Sequence, residues 1–151
     1  DSLPENQRRR ATHYFTETSR VAAGTAGWRR GDLEALGREM TASGISSIEN
    51  YECGCEPMND LRAVVEETSG VLGVRFSGAG FRGCCVALMK KTVSSDDADA
   101  NKSSSSSSSA AAEEAARSIL SKYTAAHPDL AERAQVVITR PGAGARSCAC
   151  E

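Results

Sequence analysis

The sequence predicts an α+β fold, with helices packed on one face of a small antiparallel sheet. Two observations carry this. Apolar residues recur with helical period up to Gly70, and then give way to short runs rich in β-branched and aromatic residues. The first two of these runs, Val71–Ser77 and Cys84–Lys90, are separated only by Gly78-Ala79-Gly80-Phe81-Arg82-Gly83. A parallel crossover needs about a dozen residues or more, so the two strands must be antiparallel neighbours.

The elements follow in order. Between Arg8 and Trp28, the residues Ala11, Tyr14, Phe15, Thr18, Val21 and Ala22 fall at i, i+3, i+4, i+7 spacing and draw the apolar face of a first helix. Gly31-Asp32 breaks it and supplies an N-cap for a second helix, with Leu33, Leu36 and Met40 on its face. Asn50–Glu56 is a turn region. Pro57 suits the first turn of a third helix, faced by Met58, Leu61, Val64 and Val65, and Gly70 is a natural stop. After the two strands, Val93–Ser109 is low in complexity, with Asp96, Asp97, Asp99 and then seven consecutive serines. Such a stretch buries too little apolar surface to order itself. Residues 94–109 are therefore expected to be a disordered surface insertion in one domain, and removal of Ser103–Ser109 to leave thermal stability nearly unchanged. A helix over Ala110–Ala126, stopped at His127-Pro128, and a strand over Gln135–Thr139 complete the pattern, before a loose tail at 141–151. The order α-α-α-β-β-α-β gives few strands for such a sheet, so a further edge strand is expected upstream of Asp1. The polar opening Asp1–Arg10 has no apolar stretch of a secretory signal, and the chain is expected to be processed or to be a fragment.

Composition narrows the function. A length of 151 residues fits one domain. No apolar run approaches the roughly 18 residues of a membrane span, which argues against a membrane protein. A net charge of −2 argues against a dedicated nucleic-acid binder, which carries a basic surplus. The six cysteines cluster as Cys53/Cys55, Cys84/Cys85 and Cys148/Cys150, poor spacings for long cross-links. Reduced cysteines of a cytoplasmic protein, packed as small hydrophobes, are the first reading. Zinc held by four of the thiolates is the alternative, although structural zinc sites favour C-x₂₋₄-C spacing.

The hexad Gly78–Gly83 matches G-x-G-x-x-G. A dinucleotide site needs a helix after this loop, and here a strand follows; nor is there a G-K-[ST]. Two readings stand. Successive exposed N–H groups form an anion-binding nest, or glycine serves only the geometry of a bulged hairpin. Arg75 and Arg82 flank the loop, either as charge-assisted donors to a phosphate or carboxylate or as ordinary surface arginines. Asp32, Glu49 and Glu52 are not paired into an acid/base site and read as caps or surface charges. His13 and Glu17 form an i, i+4 pair, a local helix contact rather than a catalytic one.

The stretch Gly73-Val74-Arg75-Phe76-Ser77-Gly78-Ala79-Gly80-Phe81-Arg82-Gly83-Cys84-Cys85-Val86 resembles the third motif of the GHMP sugar kinases, the family of galactokinase, homoserine kinase and the mevalonate kinases. Ser43-Gly44-Ile45-Ser46-Ser47-Ile48-Glu49-Asn50-Tyr51-Glu52-Cys53 is similar to the Ser-rich turn of galactokinase-like enzymes, and Arg9-Arg10-Ala11-Thr12-His13-Tyr14-Phe15-Thr16-Glu17 to the helix that opens the region. Together they cover Arg8 to about Met89, in the family's order. Galactokinases usually carry glycine at the positions of Ala79 and Arg82 and histidine at that of Gly44; at all three this chain is similar to the galacturonokinase type.

The resemblance implies the ferredoxin-like C-terminal domain of a sugar-1-kinase, over residues 1–93 and 110–140. It implies transfer of phosphate from ATP, with Mg²⁺, to the anomeric hydroxyl of D-galacturonate in the cytoplasm. It places Ser77, Gly78, Ala79, Gly80 and Gly83 in the wall of the phosphate and sugar site, and makes Arg82 the candidate for the uronate carboxylate. The family's ATP loop, Pro-x-x-x-Gly-Leu-Ser-Ser-Ser-Ala, its N-terminal sugar motif and its catalytic aspartate are not in this sequence, and Ser46-Ser47 is no substitute. The chain is thus expected to hold no catalytic residue or metal ligand, to be inactive alone, and to need an N-terminal kinase domain that binds most of the ATP and Mg²⁺. A galactokinase-like enzyme for a neutral sugar, and a non-catalytic sugar- or protein-binding module, are the alternatives.

Overall fold

The structure, a computed structural model, describes residues 3–90 and 107–139. Helix α1 (Glu5–Arg30) turns sharply into α2 (Leu33–Glu49). Gly31 takes the left-handed conformation at φ 73°, and Asp32 caps α2 by accepting the Ala35 N–H at 2.9 Å, as the sequence predicts. The turn folds the two helices into a hairpin.

The predicted apolar face of α1 is its outer face. Tyr14, Phe15, Val21 and Trp28 are 56–68% exposed. The side against α2 carries instead His13, Glu17, Arg20, Gly24 and Gly27, with both glycines buried. A polar seam and small residues at close approach hold this helix, so the apolar stripe is left free to face outward.

Helix α3 (Glu56–Glu66) has Pro57 in its first turn and buries Met58 and Val65. It ends four residues before Gly70, which forms the turn into β1 at φ 86°. Strands β1 (Val71–Ser77) and β2 (Cys84–Met89) pair antiparallel, with Ser77 opposite Cys84, Phe76 opposite Cys85 and a bulge between Val71 and Gly73. On one face of the sheet, Val74 is fully buried against Val65 of α3 and Ile119 of helix α4 (Ser107–Ala126), with Leu61, Val64 and Cys85 around them. This is the predicted α+β arrangement. Helix α2 runs along the free side of β1. The Val74 N–H, turned away from β2, donates to Thr41 Oγ1 at 3.3 Å. The backbones meet at Gly37 and Gly73, where a Cβ on Gly73 would lie 2.0 Å from the Gly37 carbonyl oxygen.

Two expectations are corrected. Gln135–Thr139 forms no strand: a short 3₁₀ helix, Pro128–Arg133, precedes it, and Val136, Val137 and Ile138 stay exposed without a ladder to join. β-Branched residues favour a strand only where a neighbour offers hydrogen bonds and a packing surface. Helix α4 also starts at Ser107, inside the run assigned to the disordered insertion. Residues 94–106 of that insertion and the tail at 141–151 lie outside the described residues. Among the described residues no third strand joins the sheet, and no helix is long and apolar enough to cross a membrane.

Candidate functional site

The antiparallel pairing brings Ser77 and Cys84 together, so residues 78–83 must reverse the chain within one loop. Gly78, Gly80 and Gly83 all take positive φ, at 92°, 75° and 105°. Gly80 is needed twice over, because a Cβ there would also lie 2.3 Å from the Phe76 ring. Around Gly78, by contrast, a Cβ would meet nothing within 4 Å, so the loop is open to an approaching ligand. Ser77, Ala79, Phe81, Arg82 and Gly83 are exposed and Gly80 is buried. Of the predicted wall residues, Ser77, Gly78, Ala79 and Gly83 thus lie at the surface and Gly80 lies beneath it, and the Arg82 guanidinium is in no ion pair among the described residues.

A second turn supports the loop from behind. Glu52 has a left-handed backbone, φ 59°, and Gly54 follows at φ 98° with Phe76 against its Cα side. Cys55 then donates its thiol hydrogen to the Phe81 carbonyl at 3.1 Å, with the Gly80 carbonyl oxygen 3.8 Å away. Arg9 and Arg10 both pair with Glu52, and Arg10 also donates to the Asn50 carbonyl at 2.6 Å. The sequence reading left Glu52 as a surface charge; its role is to tie α1 to this turn.

Arg75 does not join the loop. Its side chain lies on the opposite face of the sheet and lines a cleft of about 310 Å³ with Glu17, Arg20, Trp28, Glu39 and Ser43. Strand alternation explains this, because neighbours of the buried Val74 and Phe76 must point the other way.

His13 and Glu17 belong to a larger buried network than their helical spacing predicts. His13 Nε2 lies 3.6 Å from Glu17 Oε2, and Nδ1 lies 3.0 Å from Ser46 Oγ. Ser43 Oγ donates to Glu17 Oε2 at 2.9 Å, and Asn50 Nδ2 to Ser46 Oγ at 3.1 Å. Ser43 and Ser46 are buried. The resemblance puts both serines in a Ser-rich turn; the structure places them inside α2, and the signal was small and polar residues at i, i+3 on one helix face, opposite His13 and Glu17. The network satisfies buried polar groups and joins two helices. Glu17 and Ser43 also line the cleft that holds Arg75.

Cys53, Cys55, Cys84 and Cys85, the cysteines among the described residues, are free thiols. Burial and the neighbouring Cys84 push the Cys85 thiol up to about 11, which keeps it protonated among the apolar side chains. Among the described residues no three His, Cys, Asp or Glu side chains come together as a metal site.

With this geometry in hand, comparison with known proteins is specific. The family described as GHMP kinases C terminal matches residues 25–126. An Arabidopsis thaliana galacturonokinase is 54% identical over 81 residues, covering 54% of this chain and 19% of that protein. A Streptococcus thermophilus galactokinase is 39% identical over 92 residues, covering 61% of this chain and 24% of that protein. The crystal structure of Lactococcus lactis galactokinase complexed with galactose superposes with a TM-score of 0.66 at 24% identity, over 82% of this chain and 27% of that one, and so shares the fold. The chain spans about a fifth to a quarter of the length of the curated relatives it matches.

Proposed function

The chain belongs to the GHMP kinase C-terminal family, and on that premise we propose that it is the C-terminal part of an ATP-dependent sugar-1-kinase whose substrate is D-galacturonate. The observation that carries the substrate is Arg82, exposed and in no ion pair among the described residues, on the glycine loop of a chain 54% identical over 81 residues to a galacturonokinase. A guanidinium fork pairs with a carboxylate through two parallel N–H···O bonds, which a neutral sugar lacks. The open backbone at Gly78 leaves room for a phosphate, so the loop suits the wall between nucleotide and sugar. Bound Mg²⁺ neutralises developing charge on the phosphates. Among the described residues no three His, Cys, Asp or Glu side chains cluster, and we assign the ion's ligands to the N-terminal kinase domain.

The outward apolar face of α1 supports that partner. Tyr14, Phe15 and Val21 precede residue 25, where the match to the C-terminal family begins. A stripe this apolar on a surface helix is built to be covered, and the ATP-binding domain of the same kinase is the cover we assign. The cytoplasm suits the free thiols of Cys53, Cys55, Cys84 and Cys85.

The test is an Arg82→Gly substitution in a kinase that carries this segment together with its ATP-binding domain. Loss of one charge-assisted contact should lower kcat/KM for galacturonate about 10- to 100-fold and leave galactose nearly unchanged. Arg82→Lys should fall between, because a lysine cannot pair in two parallel bonds. An unaltered preference for galacturonate in Arg82→Gly would sink the assignment.

A further inference from the structure

We propose that Cys55 is the positioning residue of the glycine loop, turning the loop's backbone donors toward the ligand side. This rests on the reading of the loop as a phosphate and sugar wall for its purpose, but not for its geometry. The thiol hydrogen goes to the Phe81 carbonyl at 3.1 Å, and the Gly80 carbonyl oxygen is 3.8 Å from the same sulfur. Both carbonyls therefore point back toward the turn at 53–55. In a trans peptide the N–H lies opposite the C=O across the same plane, and the described chain has no cis peptide bond. The N–H groups of Phe81 and Arg82 consequently point away from Cys55. Two successive amides facing one way are the elements of an anion nest.

The rest of the loop cannot do this alone. Its glycines at 78, 80 and 83 all permit positive φ, and residues this permissive leave peptide planes free to flip. Contact between Gly80 and the Phe76 ring fixes the loop's depth, not the direction of the two carbonyls. Cys55 is itself held by its own element: the carbonyl of Cys55 accepts the N–H groups of Met58 and Asn59 at 3.0 and 2.9 Å, in the first turn of α3. The start of a helix thus carries the one side chain that, among the described residues, reaches the Gly80 and Phe81 carbonyls.

Backbone ¹⁵N relaxation on the 151-residue chain tests this directly. Cys55→Ala and Cys55→Val both remove the donor, the second while keeping the volume; Cys55→Ser keeps a donor on a shorter arm. In the Ala and Val variants, the order parameters of the Phe81 and Arg82 amides should fall below about 0.6, into the flexible range. Amides of α2 and of the start of β1 should be unchanged, and Cys55→Ser should recover most of the order. The proposal is overturned if Ala and Val leave the Phe81 and Arg82 amides as ordered as in the native chain, if Ser behaves like Ala, or if order falls equally across the molecule. A failed sugar assay would count against the kinase reading and leave this loss of order standing; unchanged order in the Ala and Val variants would do the reverse.

Discussion

Cys85 shows how the site is insulated at the level of one residue. It faces the packed side of the sheet beside Val74, and burial followed by the charge of Cys84 raises its titration from 9.0 to about 11. The native state therefore binds this proton more tightly than the unfolded chain, where the thiol is near its ordinary value. Between about pH 9 and 11 the unfolded state gives up the proton first, so stability falls as pH rises through that window and is independent of this group below it. Urea unfolding measured from pH 7 to 11 should show the decline, and Cys85→Val should remove most of it. A decline of equal size in the variant would assign the effect to other groups. Cys55 does the opposite task, offering its hydrogen to the Phe81 carbonyl of the loop. Cys55 and Cys85 thus have separate roles, which the clustering of the cysteines in sequence did not reveal.

At the scale of elements, the helices were legible and their faces were not. Periodicity found α1, but a period says only that one side differs from the other. Tyr14, Phe15 and Val21 stand outside, while His13, Glu17 and Arg20 face α2. The decisive signal was Gly24 and Gly27, small residues on the polar side, which mark a close helix approach. Strands were legible where a partner was near: β1 and β2 share a loop, whereas Gln135–Thr139 has β-branched residues and no edge to join. The glycine loop was legible as a reversal between two strands, because its need for positive φ is written in residue type; the turn behind it was not, since nothing in sequence relates Cys55 to Phe81. This division predicts where substitutions cost stability. Gly73→Ala would drive a Cβ into the Gly37 backbone and should cost more than about 3 kcal/mol in urea unfolding, or prevent folding. Val21→Ser, on the uncovered face, should change stability by less than about 0.5 kcal/mol. A large loss from Val21→Ser would show that α1 buries that face in this chain.

The whole molecule has an off-centre core. Val65, Val74 and Ile119 form its centre, with Met58, Phe76, Ala115 and Tyr123 also buried, and α1 supplies no large apolar side chain to it. The loop, the Cys55 turn and the sheet lie on the well-packed side; α1 hangs on polar contacts and presents its aromatic residues outward. Helix α4 is tied to α3 near that core, where His127 Nε2 meets Asp60 Oδ2 at 2.9 Å and the Tyr123 and His127 rings lie 5.0 Å apart. Such a body supports a loop, and among the described residues no cluster of three His, Cys, Asp or Glu side chains forms beside it. Phosphoryl transfer requires the phosphates, the metal and the hydroxyl to be held together, so support at one wall gives no turnover by itself. The purified 151-residue chain should therefore transfer no phosphate from ATP to galacturonate, in an assay that detects ADP and sugar 1-phosphate together. Joined to the ATP-binding domain of a galacturonokinase, it should support turnover, and Tyr14→Glu or Val21→Glu should then lower stability in the joined protein by several degrees of Tm while leaving the free chain unchanged. Phosphate transfer by the chain alone would mean that its own residues complete a site, and equal tolerance of the two charges in both settings would mean that α1 meets nothing there.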